Sequence, residues 1–360
     1  MNDRLLVGTR KGLFTVERRA AWGIAGTAFL GDPVSAMLHD DRSGLLFAAL
    51  NLGHYGVKLH RSEDGGRRWT EVGTPVYPAQ PEGAEGPAWS IQQVWCLEAG
   101  GPEQAGRLWA GTLPGGLFVS DDHGDSWTLV RSLWDRPERL GWFGGGMDVP
   151  GIHSICVDPR DPQRVTVGIS CGGVWQSADG GSSWELVGSG LRAAYMPPES
   201  AHTPNIQDPH RIAFCRSAPD RFWMQHHNGV FRSEDAGRSW TEVGVTDPPR
   251  YGFPIAVHPR DPETFWLVPA QADESRYAPE GAMCVHRSRD GGATFEELRE
   301  GLPQDHAYDL VYRHALDIDC SGDTLAMGST TGGLWFSEDG GSQWRTLAQN
   351  LPPIYAVRFA

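Results

Sequence analysis

Six times the chain repeats one eight-residue phrase, and that repetition constrains its fold more than any total does. The copies are SEDGGRRW (62–69), SDDHGDSW (120–127), SADGGSSW (177–184), SEDAGRSW (233–240), SRDGGATF (288–295) and SEDGGSQW (337–344). Their serines lie 58, 57, 56, 55 and 49 residues apart, a near-constant period that marks an array of one structural unit. Each position has a local reason. The Asp (64, 122, 179, 235, 290, 339) carries a short carboxylate that accepts from backbone N–H groups of its own turn. The Gly two residues on suits a left-handed backbone, and the closing aromatic offers a large apolar body to wedge between neighbouring sheets. Six identical carboxylates read as hairpin staples, because a scaffold turn recurs while an active site sits once per fold.

A second phrase lies upstream of each turn: AGTLPGGLF (110–118), VGISCGGVW (167–175), MQHHNGVF (224–231) and MGSTTGGLW (327–335). Period-two apolar runs on both sides of the glycines make these hairpins. Further upstream comes a strand ending in a Pro/Asp turn, as in ICVDPRDPQRV and IAVHPRDPETF. Each unit is therefore four strands, A to D from the inside outward, with the acidic turn joining C to D. That is a propeller blade, and the expected fold is all-β, a seven-bladed propeller of four-stranded antiparallel blades forming one domain over 1–360. The seventh set comes from the N-terminus, where VGTRKGLFTVERRAAW keeps the Gly, Leu-Phe and Trp landmarks without the acidic turn. It supplies B, C and D of blade 1 (1–30), and the tail PPIYAVRFA (352–360) supplies strand A, closing the ring and protecting its edges.

These motifs resemble the Asp-box (BNR-repeat) propellers, a group that includes sialidases, certain endoglucanases, sortilin-type receptors and a photosystem assembly factor. The resemblance covers essentially the whole chain and implies the propeller fold. For activity it implies a glycosyl-hydrolase-like protein of the kind often labelled exo-alpha-sialidase. The sialidase-type Arg-Ile-Pro signature near the N-terminus and a clear arginine triad are missing, which weighs against sialidase chemistry itself.

Composition narrows the partners. A net charge of −14 argues against nucleic acid and acidic lipid, which reward clustered Lys and Arg. No run of eighteen apolar residues exists, and MNDRLLVGTRKGLF enters a strand directly with no leader, so a cytoplasmic location is expected. Six scattered Cys without CxxC pairs read as reduced, buried thiols.

If the acidic turns join C to D, they share one rim with the A–B turns, and the opposite rim carries the B–C turns and the D–A connectors. Four insertions fall on that opposite rim: 76–93, 133–151, 191–209 and 270–282. Long loops gathered on one face are usually functional. They bring Trp89, Trp142, Phe143, Tyr195 and Tyr277 together with Asp148, Glu199, Asp208, Asp273, Glu274 and Arg276. Aligning the inner strands on Ile155, Ile212 and Leu316 places His153, His210 and His314 at one equivalent position, and the B–C turn of blade 5 adds His226 and His227. Converging imidazoles suit a divalent transition metal (Zn, Mn, Fe, Ni or Cu) with open positions for substrate. The alternative is that these histidines cap strands by hydrogen bonds. Arg10, His54, Arg250 and Tyr251 are further candidates for holding a ligand on the same rim.

Two functions follow. One is a hydrolase or lyase acting on a small polar or carbohydrate-like ligand, with Asp148 and Asp208 as the carboxylate pair to inspect, Glu199 nearby, or with the histidines holding a metal. The other is a non-catalytic binding or assembly module that seats a protein partner on the rim through Trp142, Phe143 and Tyr195.

Overall fold

A computed structural model describes residues 3–85, 88–145, 147–244 and 250–360. Its strands form seven four-stranded antiparallel sheets, the blades of a β-propeller. The chain divides into two compact units: 1–34 with 210–236 and 240–360, and 35–209 with 237–239.

Unit one builds blades 1, 5, 6 and 7. Blade 1 has the order Ile354–Phe359, Arg4–Thr9, Gly12–Arg18, Trp22–Ala28, so its inner strand comes from the tail, as the sequence requires. Five partners tie that strand to its neighbour, from Leu5 opposite Phe359 to Thr9 opposite Ile354. Blade 5 is Pro209–Cys215, Ala218–His226, Gly229–Ser233 and Thr241–Val243. Blade 6 is Gly252–Val257, Phe265–Pro269, Val285–Ser288 and Glu296–Leu298, and blade 7 is Leu316–Ile318, Leu325–Gly328, Leu334–Ser337 and Arg345–Ala348.

Unit two builds blade 2 (Val34–Asp40, Leu45–Asn51, Val57–Ser62, Thr70–Val72), blade 3 (Gln93–Ala99, Leu108–Leu113, Leu117–Ser120, Thr128–Leu129) and blade 4 (Ile152–Val157, Val165–Ile169, Gly173–Ser177, Glu185–Val187). Within each unit the cores lie between consecutive blades. Trp266, Met283 and Leu298 of blade 6 pack with Met327, Trp335 and Trp344 of blade 7, and Trp109 of blade 3 packs with Val167, Trp175 and Trp184 of blade 4. A buried indole brings roughly 150–250 Å² out of water, so these seams carry much of the folding free energy.

The acidic turns are built alike. In all six the Ser hydroxyl donates to the Asp carboxylate at 2.8–3.0 Å. The carboxylate also accepts a backbone N–H four residues on, as Ser183 donates to Asp179 at 2.8 Å. The Gly of each turn has φ between +85° and +92°. Sequence reasoning found this need but missed a second one: a Cβ on Gly181 would lie 3.1 Å from the Trp109 ring, and one on Gly292 would lie 2.8 Å from Val243, each in the preceding blade. The turn therefore presses its bare backbone into its neighbour as well as closing its own hairpin.

Hydrogen bonds fix which turns share an end. The acidic turn reaches the A–B turn of its own blade through Gly180 N–H to the Gln163 carbonyl (2.9 Å), Gly291 to Glu263 (3.0 Å) and Gly340 to Asp323 (2.8 Å). At the other end B–C turns meet connectors, as Gly173 N–H donates to the Gln207 carbonyl (3.0 Å) and Thr330 to Leu310 (2.9 Å). Five of the six cysteines are buried and Cys320 is exposed. Among the described residues no helix is long and apolar enough to cross a membrane.

Candidate functional site

The connector end of unit two gathers a carboxylate, a thiol and two hydroxyls. Asp208, 2 % exposed, ends the connector that leads into blade 5. Its Oδ1 accepts from Ser170 Oγ (3.3 Å) and from the Cys171 backbone N–H (3.2 Å), both in the B–C turn of blade 4. Cys171 holds a left-handed φ of 45°. The loop carrying Asp148 closes over this group. A Cβ on Gly145 would meet Ser170 Oγ at 2.6 Å, Cys171 Sγ at 2.8 Å and Asp208 Oδ2 at 3.0 Å, so only glycine lets the loop settle there. Asp148 itself is exposed, and so is Glu199 on the next connector. The Tyr195 hydroxyl donates to the Ile206 carbonyl at 2.7 Å. Burial pushes this phenol well above its ordinary range, and the neighbouring Asp208 and Cys171 push it further.

Trp142, expected as an exposed anchor, is 7 % exposed. Its indole N–H donates to Asn205 Oδ1 at 2.9 Å and its ring meets Trp175 edge-on, so it fills the base of its loop. One face of it still lines a pocket with Pro114, Gly115, Trp134, Arg139 and Leu140. Phe143 and Tyr195 keep partial exposure, 38 % each. His153 is fully buried, its Nδ1 3.0 Å from Ser154 Oγ and its ring against Trp95. His54 is exposed and packs on Tyr55 in the B–C turn of blade 2.

The connector end of unit one is organised around His210, the second residue of the inner strand of blade 5, which is 2 % exposed. Its Nδ1 lies 2.6 Å from the Gly252 carbonyl oxygen, and its ring stacks on Phe253 at 4.7 Å and 15°. A carbonyl only accepts, so Nδ1 is the donor in this bond. His227, in the B–C turn of the same blade, brings a ring nitrogen within 4.8 Å of one on His210. Tyr251 packs edge-on against both rings and donates its hydroxyl to Asp273 Oδ1 at 2.9 Å. Arg276 donates to the same oxygen at 2.5 Å, while Asp273 Oδ2 lies 3.9 Å from His227 Nε2.

Burial works to raise the Asp273 carboxyl, but the hydrogen bonds from Arg276 and Tyr251 outweigh it and hold the group below its ordinary value. Burial also raises the Tyr251 phenol, and its bond to the carboxylate adds to the effect.

The other expected residues take different places in unit one. His226 is buried beside Phe231, and its Nδ1 accepts from the Asn228 backbone N–H at 3.2 Å, which serves the turn. His314 stands two residues ahead of the short strand Leu316–Ile318, and its carbonyl accepts from Val357 at 2.8 Å. Neither joins the pair formed by His210 and His227. Arg250 donates to the Gly244 carbonyl at 2.8 Å, lies over Phe295 at 4.0 Å and reaches the half-buried His286, so its charge is engaged in packing. Arg10 is exposed, with its backbone N–H on the Pro353 carbonyl, and Tyr277 is half-buried against Tyr308. The Tyr251–Asp273–Arg276 group was missed as a unit. Its one sequence signal is an Asp three residues ahead of an Arg inside a long insertion.

The architecture defines the class, a seven-bladed β-propeller with long irregular loops at the connector end. Comparison with known proteins refines this. The Sortilin-Vps10 family model (sortilin, neurotensin receptor 3) matches residues 172–308. A xyloglucanase of Paenibacillus sp is 25% identical over 244 residues, 59% of this chain and 21% of that protein. An oligoxyloglucan-reducing end-specific xyloglucanase of Emericella nidulans is 24% identical over 274 residues, 68% of this chain and 31% of that protein. The chain thus spans between about a fifth and a third of these curated relatives. Among solved structures, an ancestral GH74 enzyme superposes with a TM-score of 0.61 at 18% identity, over 87% of this chain and 38% of that one.

Proposed function

We propose that this protein is a glycosyl-hydrolase-like propeller that binds a small polar or carbohydrate ligand at the connector end of its blades and uses carboxylates of unit two. The observation that carries this reading is the sequence similarity to two xyloglucanases over more than half of the chain. The chemistry of the site agrees with it. Hydrogen bonds from Ser170 and the Cys171 amide to Oδ1 fix the direction of the Asp208 carboxylate, which suits a base or nucleophile. Asp148, on the exposed loop that closes over it, takes the complementary role of acid toward the departing sugar oxygen. A carboxylate spacing of about 5–5.5 Å would retain anomeric configuration and one of about 6.5–9.5 Å would invert it. Glu199 is exposed on the following connector and is the substitute acid to test if Asp148 proves dispensable.

The test is hydrolysis of a panel of xyloglucan and other glucan oligosaccharides, followed by chromatography of the products. Turnover is expected from the wild type, falling by about 10²–10⁴-fold in Asp208→Asn and Asp148→Asn. Absence of turnover and of measurable binding across the panel would sink the reading and leave the rim as a protein-docking surface.

A further inference from the structure

The geometry points to a transition-metal site in unit one, held by His210 and His227 with Asp273 as the accompanying carboxylate. It is separate from the carboxylate chemistry proposed for unit two and does not depend on it.

Three observations carry it. First, the two imidazoles present ring nitrogens within 4.8 Å of each other, whereas two nitrogens on one zinc ion at about 2.0–2.1 Å stand roughly 3.3 Å apart. A small rotation of His227, whose side chain is 19 % exposed, closes that gap. Second, His210 is already prepared as a ligand. The Gly252 carbonyl accepts a hydrogen bond from its Nδ1–H, and Phe253 stacks on the ring, which is how a ligating histidine is usually fixed in tautomer and direction. Third, Asp273 is arranged as its partner. Tyr251 and Arg276 occupy Oδ1, and Oδ2 is the oxygen turned toward His227.

The donor set decides the metal class. Imidazole nitrogens with carboxylate oxygen suit Zn, Mn, Fe, Ni or Cu, whereas Ca and Mg take oxygen ligands. Two nitrogens and one carboxylate leave coordination positions for water or a ligand oxygen.

The experiment is elemental analysis of untagged protein, purified without chelator, then dialysed against Zn²⁺, Mn²⁺, Ni²⁺ and Cu²⁺ in turn, with Co²⁺ absorption as a reporter of nitrogen ligation. His210→Ala, His227→Gln and, as a control at the opposite end of blade 3, His123→Ala are treated alike. One ion per chain is expected in the wild type and in His123→Ala. Because changes one shell out from a metal already cost about 10–100-fold in affinity, loss of either ligand is expected to weaken binding by more than about 100-fold. His227→Gln guards against a folding failure of the buried His210 variant, since its side chain is partly exposed and its fold is checked by circular dichroism. Failure of the wild type to take up any of these ions, or equal uptake in folded His227→Gln, overturns the site. Neither result bears on glucan hydrolysis, which is measured on its own.

Discussion

The two ends of the blades are built on opposite plans. At one end six acidic turns solve a single problem in a single way, with a hydroxyl, a carboxylate and a left-handed glycine in the same positions each time. At the other end no long connector repeats another, and Asp208, His210 and Tyr251 are buried among them. Repetition marks where the backbone's own requirements are met. Irregularity marks residues that the sheets do not need, and binding or chemistry is the usual reason for keeping such residues.

The sharpest way to break this contrast is to exchange carboxylates between the ends. Asp208→Asn is expected to lower glycoside turnover by about 10²–10⁴-fold, while Asp122→Asn in the acidic turn of blade 3 leaves turnover unchanged. Equal losses would mean that the connector end has no special role. Next in size is Trp344→Ala, which opens the seam between blades 6 and 7 where the indole is 2 % exposed. Chemical denaturation should show a loss of about 3–5 kcal/mol, and a loss below 1 kcal/mol would contradict the seam as the main store of stability.

Asp122→Asn should cost about 1 kcal/mol in stability, and the cost should depend on pH. Hydrogen bonds from Ser126 hold the Asp122 carboxyl below its ordinary value of 3.8. A carboxyl lowered by folding contributes stability that is complete above the unfolded value and fades as pH falls through the lower folded one. Urea unfolding should therefore separate wild type from variant at pH 7 and bring them together well below pH 3.8; a constant difference would exclude the hydrogen-bond account. Smallest are His123→Gly and Ala236→Gly. Both residues sit at positive φ, 58° and 59°, where four of the six turns already have glycine. Each change should stabilise by about 1 kcal/mol, read as a rise in melting temperature.

Much of this was legible in advance because a recurring turn announces itself. Blade count, strand order and the joining of the tail to the first blade all follow from where six acidic turns and their upstream glycines fall. His210 was also reachable, since its position two residues ahead of Ile212 is a matter of strand register. What surrounds it was not. Tyr251 and Asp273 are 22 residues apart, and only the path of the blade 6 loop brings their oxygens within 2.9 Å. Trp142 shows the converse limit. An aromatic in a glycine-rich loop has the same sequence context whether it faces solvent or, as here, lodges against Trp175 and Asn205. His314 was assigned by a register that this blade supports weakly, because its inner strand is only Leu316–Ile318.

The pairing of Ile354–Phe359 with Arg4–Thr9 also governs how the polypeptide is made. Unit two is nearly continuous in sequence, so its three blades can assemble while the ribosome is still translating. Blade 1 has to wait. From the moment it emerges, Arg4–Thr9 presents an unpaired strand edge that a neighbouring nascent chain could join, and it stays so until residues 354–359 are released. Pairing with the tail strand is therefore what finally shields that edge from other chains.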